Sequence, residues 1–326
     1  MTNKTLSKNF YGLFYCLSII FIINLTLSMK VAADQLLNSD TNKTQTDVTI
    51  EKTQIKKNTS ILDKRKASDD IAIQNFFAMA QHQQNYLLPV TYATHPRGNN
   101  PQGLDNETVD NFEAKYQISV KLPIYLETNS TAGLYLGFTA MSYWQVYNSE
   151  VSKPFRETNY EPELYYSWHN DVSILGFNFN EIQLGVNHQS NGQSDIFSRS
   201  WNRLFASVLF SDESSYYYFK TWYRFKEDKK TSLTDTSGDD NPDITHFLGH
   251  IELGYAKQLG KFNLLTLVRN NLKINDNKGS VEFNLTYPIS DRYDVLLQYF
   301  NGYGDSLIDY NHHQQRIGLG VQLKFL

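Results

Sequence analysis

The 326-residue chain has little of the chemistry that marks several large protein classes. Cys16 is its only cysteine, so an internal disulfide and a cluster of thiolate metal ligands are both excluded. After residue 29 no stretch approaches the ~20 consecutive apolar residues of a membrane-spanning helix. Positive charge is not in excess, because 30 Lys and Arg stand against 34 Asp and Glu. This balance gives no electrostatic reason to bind nucleic acid, and we expect no nucleic-acid partner.

The first residues have the order of a secretory signal. Lys4 and Lys8 precede an apolar run over about residues 10–29, and an A-x-A-like triplet ends at Ala33. Positive charge, apolar segment and small residues in this order predict a signal peptide over 1–33. An N-terminal membrane anchor is the alternative that this pattern leaves open.

A polar segment follows. Residues 34–83 are rich in Asn, Asp, Thr, Lys and Gln. Such a composition predicts an extension that is disordered, or that holds one short helix over 69–77. We expect the folded domain to cover residues 84–326.

From residue 84 onward apolar and polar residues alternate with a period of two, which is typical of strands with one apolar face. In the last segment the apolar members are Ile317, Leu319, Val321, Leu323 and Phe325. Twelve segments of this kind are predicted, at about 84–93, 114–124, 131–147, 159–168, 181–190, 200–210, 215–225, 246–258, 261–269, 279–288, 292–303 and 315–326.

The connections between these segments alternate in length. Short turns, such as 259–261 and 288–291, alternate with long polar loops, such as 226–243 and 304–314. An even number of strands with short turns at one end and long loops at the other indicates an all-β, twelve-stranded antiparallel transmembrane β-barrel of the outer membrane. Aromatic residues make up 14% of the chain, which suits the aromatic girdles of such barrels. A soluble β-sandwich or a lipocalin-like barrel remains the alternative.

Three polar residues fall on the face that should meet lipid. In the fifth predicted strand three apolar residues occupy alternate positions, and His188 and Ser190 occupy the next two positions of that series. In the sixth predicted strand Asn202 likewise falls at an alternate position of the apolar face. A serine, a histidine and an amide together can serve as nucleophile, general base and orienting group. A neutral amide also avoids keeping a carboxylate charged beside hydrocarbon. A histidine lying at headgroup level and simply hydrogen-bonded to the serine is the other interpretation.

Five longer motifs carry a resemblance to one family. They are NHQSNGQSD at 187–195, SRSWNRL at 198–204, PFRETNYEP at 154–162, DDNPDIT at 239–245 and GYGDSLIDYN at 302–311. Together they resemble the outer-membrane phospholipase A family in order through about residues 84–326. The resemblance implies a calcium-dependent hydrolase of phospholipid acyl esters, acting as phospholipase A1 and A2 and as lysophospholipase, that is active as a homodimer.

The resemblance also implies roles for individual residues. Ser190 would be the nucleophile, His188 the base and Asn202 the orienting residue, and the backbone amide of Gly192 would contribute to the oxyanion hole.

For calcium the resemblance implies the Gln193 carbonyl, the Ser198 hydroxyl and Ser152 of the partner chain as ligands. Asp195 and Asp240 would form a second calcium site, or else are ordinary solvated loop acids. Oxygen donors of this kind suit calcium.

The location and the competing functions follow from the same topology. With both chain ends in the periplasm of a Gram-negative bacterium, the fifth strand runs outward, so the site would face the outer leaflet of the outer membrane. A passive porin-like channel and a lipopolysaccharide-deacylating barrel are the functions that remain as alternatives.

Overall fold

The computed structural model describes residues 79–98, 106, 108–128, 130–232, 235 and 238–324. The expected signal peptide and most of the polar extension, with its possible helix over 69–77, lie outside the described residues. Within these ranges no helix has the length and apolar character needed to cross a membrane.

Thirteen strands in the described part form one antiparallel sheet. In chain order they are β1 (Ala80–Gln81), β2 (Asn85–Ala93), β3 (Phe112–Leu126), β4 (Gly133–Trp144), β5 (Phe155–Ile174), β6 (Phe177–Ser190), β7 (Ser200–Ser211), β8 (Ser215–Arg224), β9 (Ile251–Leu259), β10 (Phe262–Asn270), β11 (Gly279–Pro288), β12 (Tyr293–Gly302) and β13 (Gln314–Leu323). Both β1 and β2 pair with β3, so they form one wall strand interrupted at residues 82–84.

The sheet closes on itself. The first long strand, β2, pairs with the last described strand, β13, and from β2 to β13 each strand pairs with the strands before and after it in sequence. No wall strand is therefore left with an unpaired edge, which is what a sheet surrounded by lipid requires. The predicted twelve-stranded antiparallel β-barrel is confirmed.

Several strand boundaries differ from the prediction, and β5 is much longer than the expected 159–168, since it spans Phe155–Ile174. The barrel wall begins at Ala80, four residues before the boundary expected at residue 84. The strand expected from about residue 246 begins only at Ile251, because Ile244–Leu248 forms a short helix, α1. The turn at 241–243 starts this helix, and Gly249, with a φ of 73°, ends it. An apolar residue in this helix had matched the strand period by coincidence.

The connections have the predicted asymmetry. Long connections follow β2, β4, β6, β8, β10 and β12, and short turns follow β3, β5, β7, β9 and β11. The turn between β5 and β6 uses Leu175 and Gly176, with φ values of 52° and 83°. Two successive positive φ values match the right-handed twist of the flanking strands.

Alternate residues along the wall point outward and inward. In β13 the apolar Ile317 and Leu319 are exposed on the outer face, whereas Arg316 is buried on the inner face. Apolar outward faces and polar inward faces are the pattern of a barrel in lipid.

A network of buried ion pairs crosses the lumen. Arg156 of β5 and Arg316 of β13 both bind Glu113 of β3, at 2.9 and 2.7 Å. Each arginine holds a second carboxylate from the β12–β13 connection: Arg156 binds Asp309 at 2.9 Å, and Arg316 binds Asp305 at 2.7 Å. Burial raises the pKa of Asp305, but Arg316 outweighs it and holds that pKa below its usual range. The network ties three wall strands and one long connection together through the inside of the barrel.

An apolar cluster lies against the same connection. Leu307 and Tyr310 are buried with α1 and with aromatic residues on the inner face of the wall. The backbone amides of Leu307 and Ile308 donate to Asn159 and Glu157 of β5 at 3.0 and 3.1 Å. The β12–β13 connection is therefore folded inward and held there.

Replacing Glu113 by alanine should destabilise the barrel strongly. Two buried guanidinium groups would lose their shared carboxylate, and removing one partner of a buried pair costs about 3–5 kcal/mol. The measurement is urea unfolding of the refolded protein in detergent, followed by tryptophan fluorescence. Asp291→Ala, in an exposed turn, is the matched control and should leave the midpoint unchanged. Equal midpoints for both variants would contradict the role given to the network.

Candidate active site

Strand β6 carries His188 and Ser190 on its outer face. Ile182, Leu184 and Val186 of the same strand are 41%, 48% and 42% exposed, whereas Asn187 is buried in the lumen and donates to Glu161 at 2.6 Å. Because successive side chains of a strand alternate, His188 and Ser190 share the face of the three apolar residues. Both are half-buried at the long-connection end of the wall.

The neighbouring strand β7 brings Asn202 to the same place. Its inward neighbours Trp201 and Arg203 are buried, and Leu204 is exposed on the outer face, so Asn202 points outward. The Asn202 Oδ1 atom lies 2.8 Å from the His188 Nδ1 atom. The structure thus joins two of the three residues singled out in the sequence by a direct hydrogen bond.

This bond fixes which ring nitrogen of His188 is free to react. When Nδ1 carries the proton and donates it to the amide oxygen, Nε2 keeps its lone pair and can accept a proton. Ser190 is two residues further along the same face. In the described part of the chain its hydroxyl has no hydrogen-bond partner, so no hydrogen bond joins it to His188. A base and a nucleophile nevertheless share the outer face of one strand.

The amide nitrogen of Asn202 has its own partner. Its Nδ2 atom donates to the Glu227 Oε1 atom at 3.1 Å. Glu227 lies in the β8–β9 connection, where the backbone amide of Phe225 donates to the Asn202 carbonyl at 2.9 Å. The sequence analysis missed Glu227. The sequence did hold a signal for it: outward-facing residues alternate along β8, and when this alternation is extended two residues past Phe225 it reaches Glu227.

The connection over 191–199 is organised by Asn191, which is buried. Its Oδ1 atom accepts from the backbone amides of Gln193 and Arg199, at 3.3 and 2.9 Å, and its Nδ2 atom donates to the Phe197 carbonyl at 2.9 Å. One side chain thus closes both ends of the loop that follows Ser190. Asn191 also went unnoticed in the sequence, although Asn-Gly is a turn signal.

Gly192 adopts a backbone conformation that other residues avoid. Its φ is 64°, in the left-handed region where a side chain is costly. The residue is exposed, and within the described ranges its amide has no hydrogen-bond acceptor. A free, outward amide two residues after Ser190 is suited to bind a developing oxyanion.

The residues expected to bind calcium are only partly brought together. The Ser198 hydroxyl donates to the Asp240 Oδ2 atom at 2.6 Å, and Lys230 pairs with the other oxygen of Asp240. Ser152 is exposed in the β4–β5 connection, apart from this group in sequence. No group of three His, Cys, Asp or Glu side chains suited to a metal occurs in the described residues.

The donor chemistry nevertheless fits calcium. Hydroxyl, carboxylate and backbone carbonyl oxygens are hard ligands of the kind calcium takes. Lys230 would be the competing cation at Asp240, since its ammonium already neutralises that carboxylate. Asp195 begins the short 3₁₀ helix Asp195–Phe197, which comes just before Ser198 in the chain, and its expected role stays a prediction.

Comparisons with known proteins bear on this geometry. A family model described as Phospholipase A1 matches residues 62–323. A relative from Klebsiella pneumoniae named Phospholipase A1 is 37% identical over 256 residues, which are 77% of this chain and 84% of the relative.

Two solved structures are similar in fold. The Salmonella typhi outer membrane phospholipase dimer with bound calcium is 33% identical, covers 77% of this chain and 94% of that one, and has a TM-score of 0.69. Outer membrane phospholipase A from Escherichia coli, in a form with an asparagine-to-alanine change in its active site, is 33% identical. It covers 80% of this chain and 99% of that one, with a TM-score of 0.71.

Proposed function

Because the chain belongs to the phospholipase A1 family, whose fold and ester hydrolase chemistry it shares, we propose that Ser190, His188 and Asn202 are its catalytic residues. The observation that carries this proposal is the 2.8 Å hydrogen bond between His188 and Asn202 on the outer, lipid-facing wall, beside an unpartnered Ser190 hydroxyl. The asparagine in the active site of the Escherichia coli relative supports a catalytic role for an amide in this fold.

The reaction follows from the roles of the three side chains. The His188 Nε2 atom takes the proton of the Ser190 hydroxyl as its oxygen attacks the ester carbonyl of a phospholipid. Asn202 holds the imidazole in position and accepts from Nδ1–H while the ring is positively charged. The tetrahedral intermediate then collapses, and the lysophospholipid alcohol leaves with the proton that His188 returns. Water, activated by the same histidine, releases the fatty acid from Ser190.

The oxyanion is stabilised from the loop that follows the nucleophile. The free amide of Gly192 would donate to the negative oxygen, which develops only as the carbonyl becomes tetrahedral. Asn191 holds this loop in shape through its three hydrogen bonds. A glycine is needed at 192 because the amide is presented by a positive φ.

We propose calcium as the cofactor and a homodimer as the active form. The Gln193 carbonyl and Ser198 hydroxyl would bind the ion together with Ser152 of the partner subunit, and Asp195 and Asp240 would hold a second ion. When bound, calcium would add positive charge beside the oxyanion site. A dimer with bound calcium is the state of the Salmonella typhi relative. A nucleophile on a wall surrounded by substrate needs an inactive state, and a site completed only by a second copy would provide one.

The substrate would be phospholipid of the outer leaflet. The site lies at the long-connection end of β6, which faces outward if both chain ends are periplasmic. Acyl esters at either position, and those of lysophospholipids, would reach a site that opens directly to lipid.

A porin-like channel is disfavoured by the ion pairs and the inward-folded connection in the lumen. Assays on phospholipid and lipid A side by side would separate this function from lipopolysaccharide deacylation.

Ser190→Ala and His188→Ala should each abolish phospholipid hydrolysis without affecting folding, because both side chains are on the outer wall and not in a packed interior. Asn202→Ala should keep more residual activity, since it orients the base and does not react. Hydrolysis in mixed micelles is the measurement, and heat-dependent gel mobility verifies the folded barrel. Full activity of Ser190→Ala would remove the serine from the mechanism.

Activity should depend on calcium and on self-association. We expect hydrolysis to stop when a chelator is added, and to return with calcium. Sedimentation in detergent should show more dimer with calcium than without it, and isothermal titration should detect calcium binding. Ser198→Ala should weaken that binding, because it loses a hydroxyl ligand. A dilute monomer that works at full rate in chelator would contradict both the cofactor and the dimer.

The loop after Ser190 should be outside the cell. Gln193→Cys should be labelled on intact cells by a membrane-impermeant thiol reagent. Glu213→Cys, in a short turn at the opposite end of the barrel, is the matched control and should be protected until the outer membrane is broken. Cys16 contributes no background once the expected signal peptide is removed. The reverse labelling pattern would overturn the orientation and the choice of leaflet together.

A further inference from the structure

Glu227 completes the hydrogen-bond chain of the candidate site. Starting from the ring, His188 Nδ1 is 2.8 Å from Asn202 Oδ1, and Asn202 Nδ2 is 3.1 Å from Glu227 Oε1. We propose that Glu227 is a positioning residue, which acts through Asn202 to select the reactive tautomer of His188. This inference rests on the catalytic roles proposed above.

The amide of Asn202 cannot fix its own orientation. Its oxygen and nitrogen ends have nearly the same shape, but the oxygen only accepts hydrogen bonds and the nitrogen only donates them. If the amide were turned over, Nδ2 would face His188 and require a lone pair on Nδ1. The ring proton would then be on Nε2, so the nitrogen that serves as the base in the proposed mechanism could no longer take the serine proton. A wrong tautomer of this kind is among the most damaging faults of a serine–histidine site.

An ionised carboxylate removes this ambiguity. It has no proton to donate, so only the nitrogen end of the amide can face Glu227. The oxygen end then faces His188, and Nε2 is left with its lone pair, as the proposed mechanism requires. A serine–histidine–acid arrangement places the acid directly on the imidazole, whereas here the acid lies one amide further out. The charge lies in the β8–β9 connection, past the end of β8, and still sets the direction of each hydrogen bond from Glu227 to His188.

The fold explains why Glu227 is in this position. Arg203 of β7 pairs with Arg224 of β8, and the next bond of the ladder joins the Phe225 amide to the Asn202 carbonyl. Tyr223 and Phe225 are exposed on the outer face, so the period of two places Glu227 on that face as well. It is then the diagonal neighbour of Asn202, roughly 7–8 Å away between backbones and within reach of a long side chain.

The test compares Glu227→Ala and Glu227→Gln with Asp228→Asn. Asp228 is the adjacent exposed acid, so its substitution removes the same charge without affecting the amide. We expect Glu227→Ala to lower kcat on the order of 10- to 100-fold with KM unchanged. Glu227→Gln should regain only part of that loss, because its amide can accept from Asn202 in one orientation but can also donate to the turned-over amide in the other. Asp228→Asn should have the activity of the unaltered protein.

A second measurement reads the tautomer directly. Nitrogen-15 chemical shifts of histidine-labelled protein in detergent distinguish a protonated Nδ1 from a protonated Nε2, and His188→Asn identifies the signals of this ring. Glu227→Ala should move the ring toward the Nε2-protonated form, and Glu227→Gln should give a mixture of the two forms. An unchanged tautomer and full kcat in Glu227→Ala would overturn the positioning role while leaving the serine mechanism intact. Failure of that mechanism would show separately, as full activity in Ser190→Ala.

Discussion

The structure depends on one constraint: in hydrocarbon a backbone amide or carbonyl has no water to bind, so each must find a partner within the protein. Pairing of β2 with β13 closes the sheet and meets this demand for the wall. Once the wall is closed, its side chains can only alternate between lipid and lumen. That alternation decides where chemistry can be placed. A polar group on the outer face is expensive unless it is bound, and the group formed by His188, Asn202 and Glu227 is bound internally.

The same alternation explains what the sequence could predict. A period of two was enough to assign the strands and to place His188, Ser190 and Asn202 on one side of the wall, because the outer face must be apolar over most of its length. It also separated long connections from short turns. These inferences need only local sequence, since apart from the closing pair β2–β13 a strand's neighbours in the sheet are close to it in the chain.

Features that depend on contacts between distant residues could not be found in this way. Nothing near Glu113 in sequence indicates that Arg316 is its partner. The sequence pattern predicts a strand over the end of helix α1, because so short a run fits the period of a strand as well as that of a helix. Glu227 and Asn191 escaped notice for a similar reason: both act on the candidate site from connections, where no periodicity constrains the direction of a side chain. The pairing of Lys230 with Asp240 was equally invisible, and it bears on how readily a cation could enter.

The lumenal network also constrains how the barrel can be built. Glu113 and Arg316 are separated by 203 residues, and β13, the last described strand, pairs with β2 in the closed sheet. Until β13 arrives, Glu113 has only one of its two arginines and the carboxylate of Asp305 lacks its nearest cation. Contacts between residues so far apart in the chain are slow to form, because a long loop must be closed first. Pairing of β13 with β2 therefore does two things at once. It closes the wall, and it brings Arg316 to the carboxylates of Glu113 and Asp305.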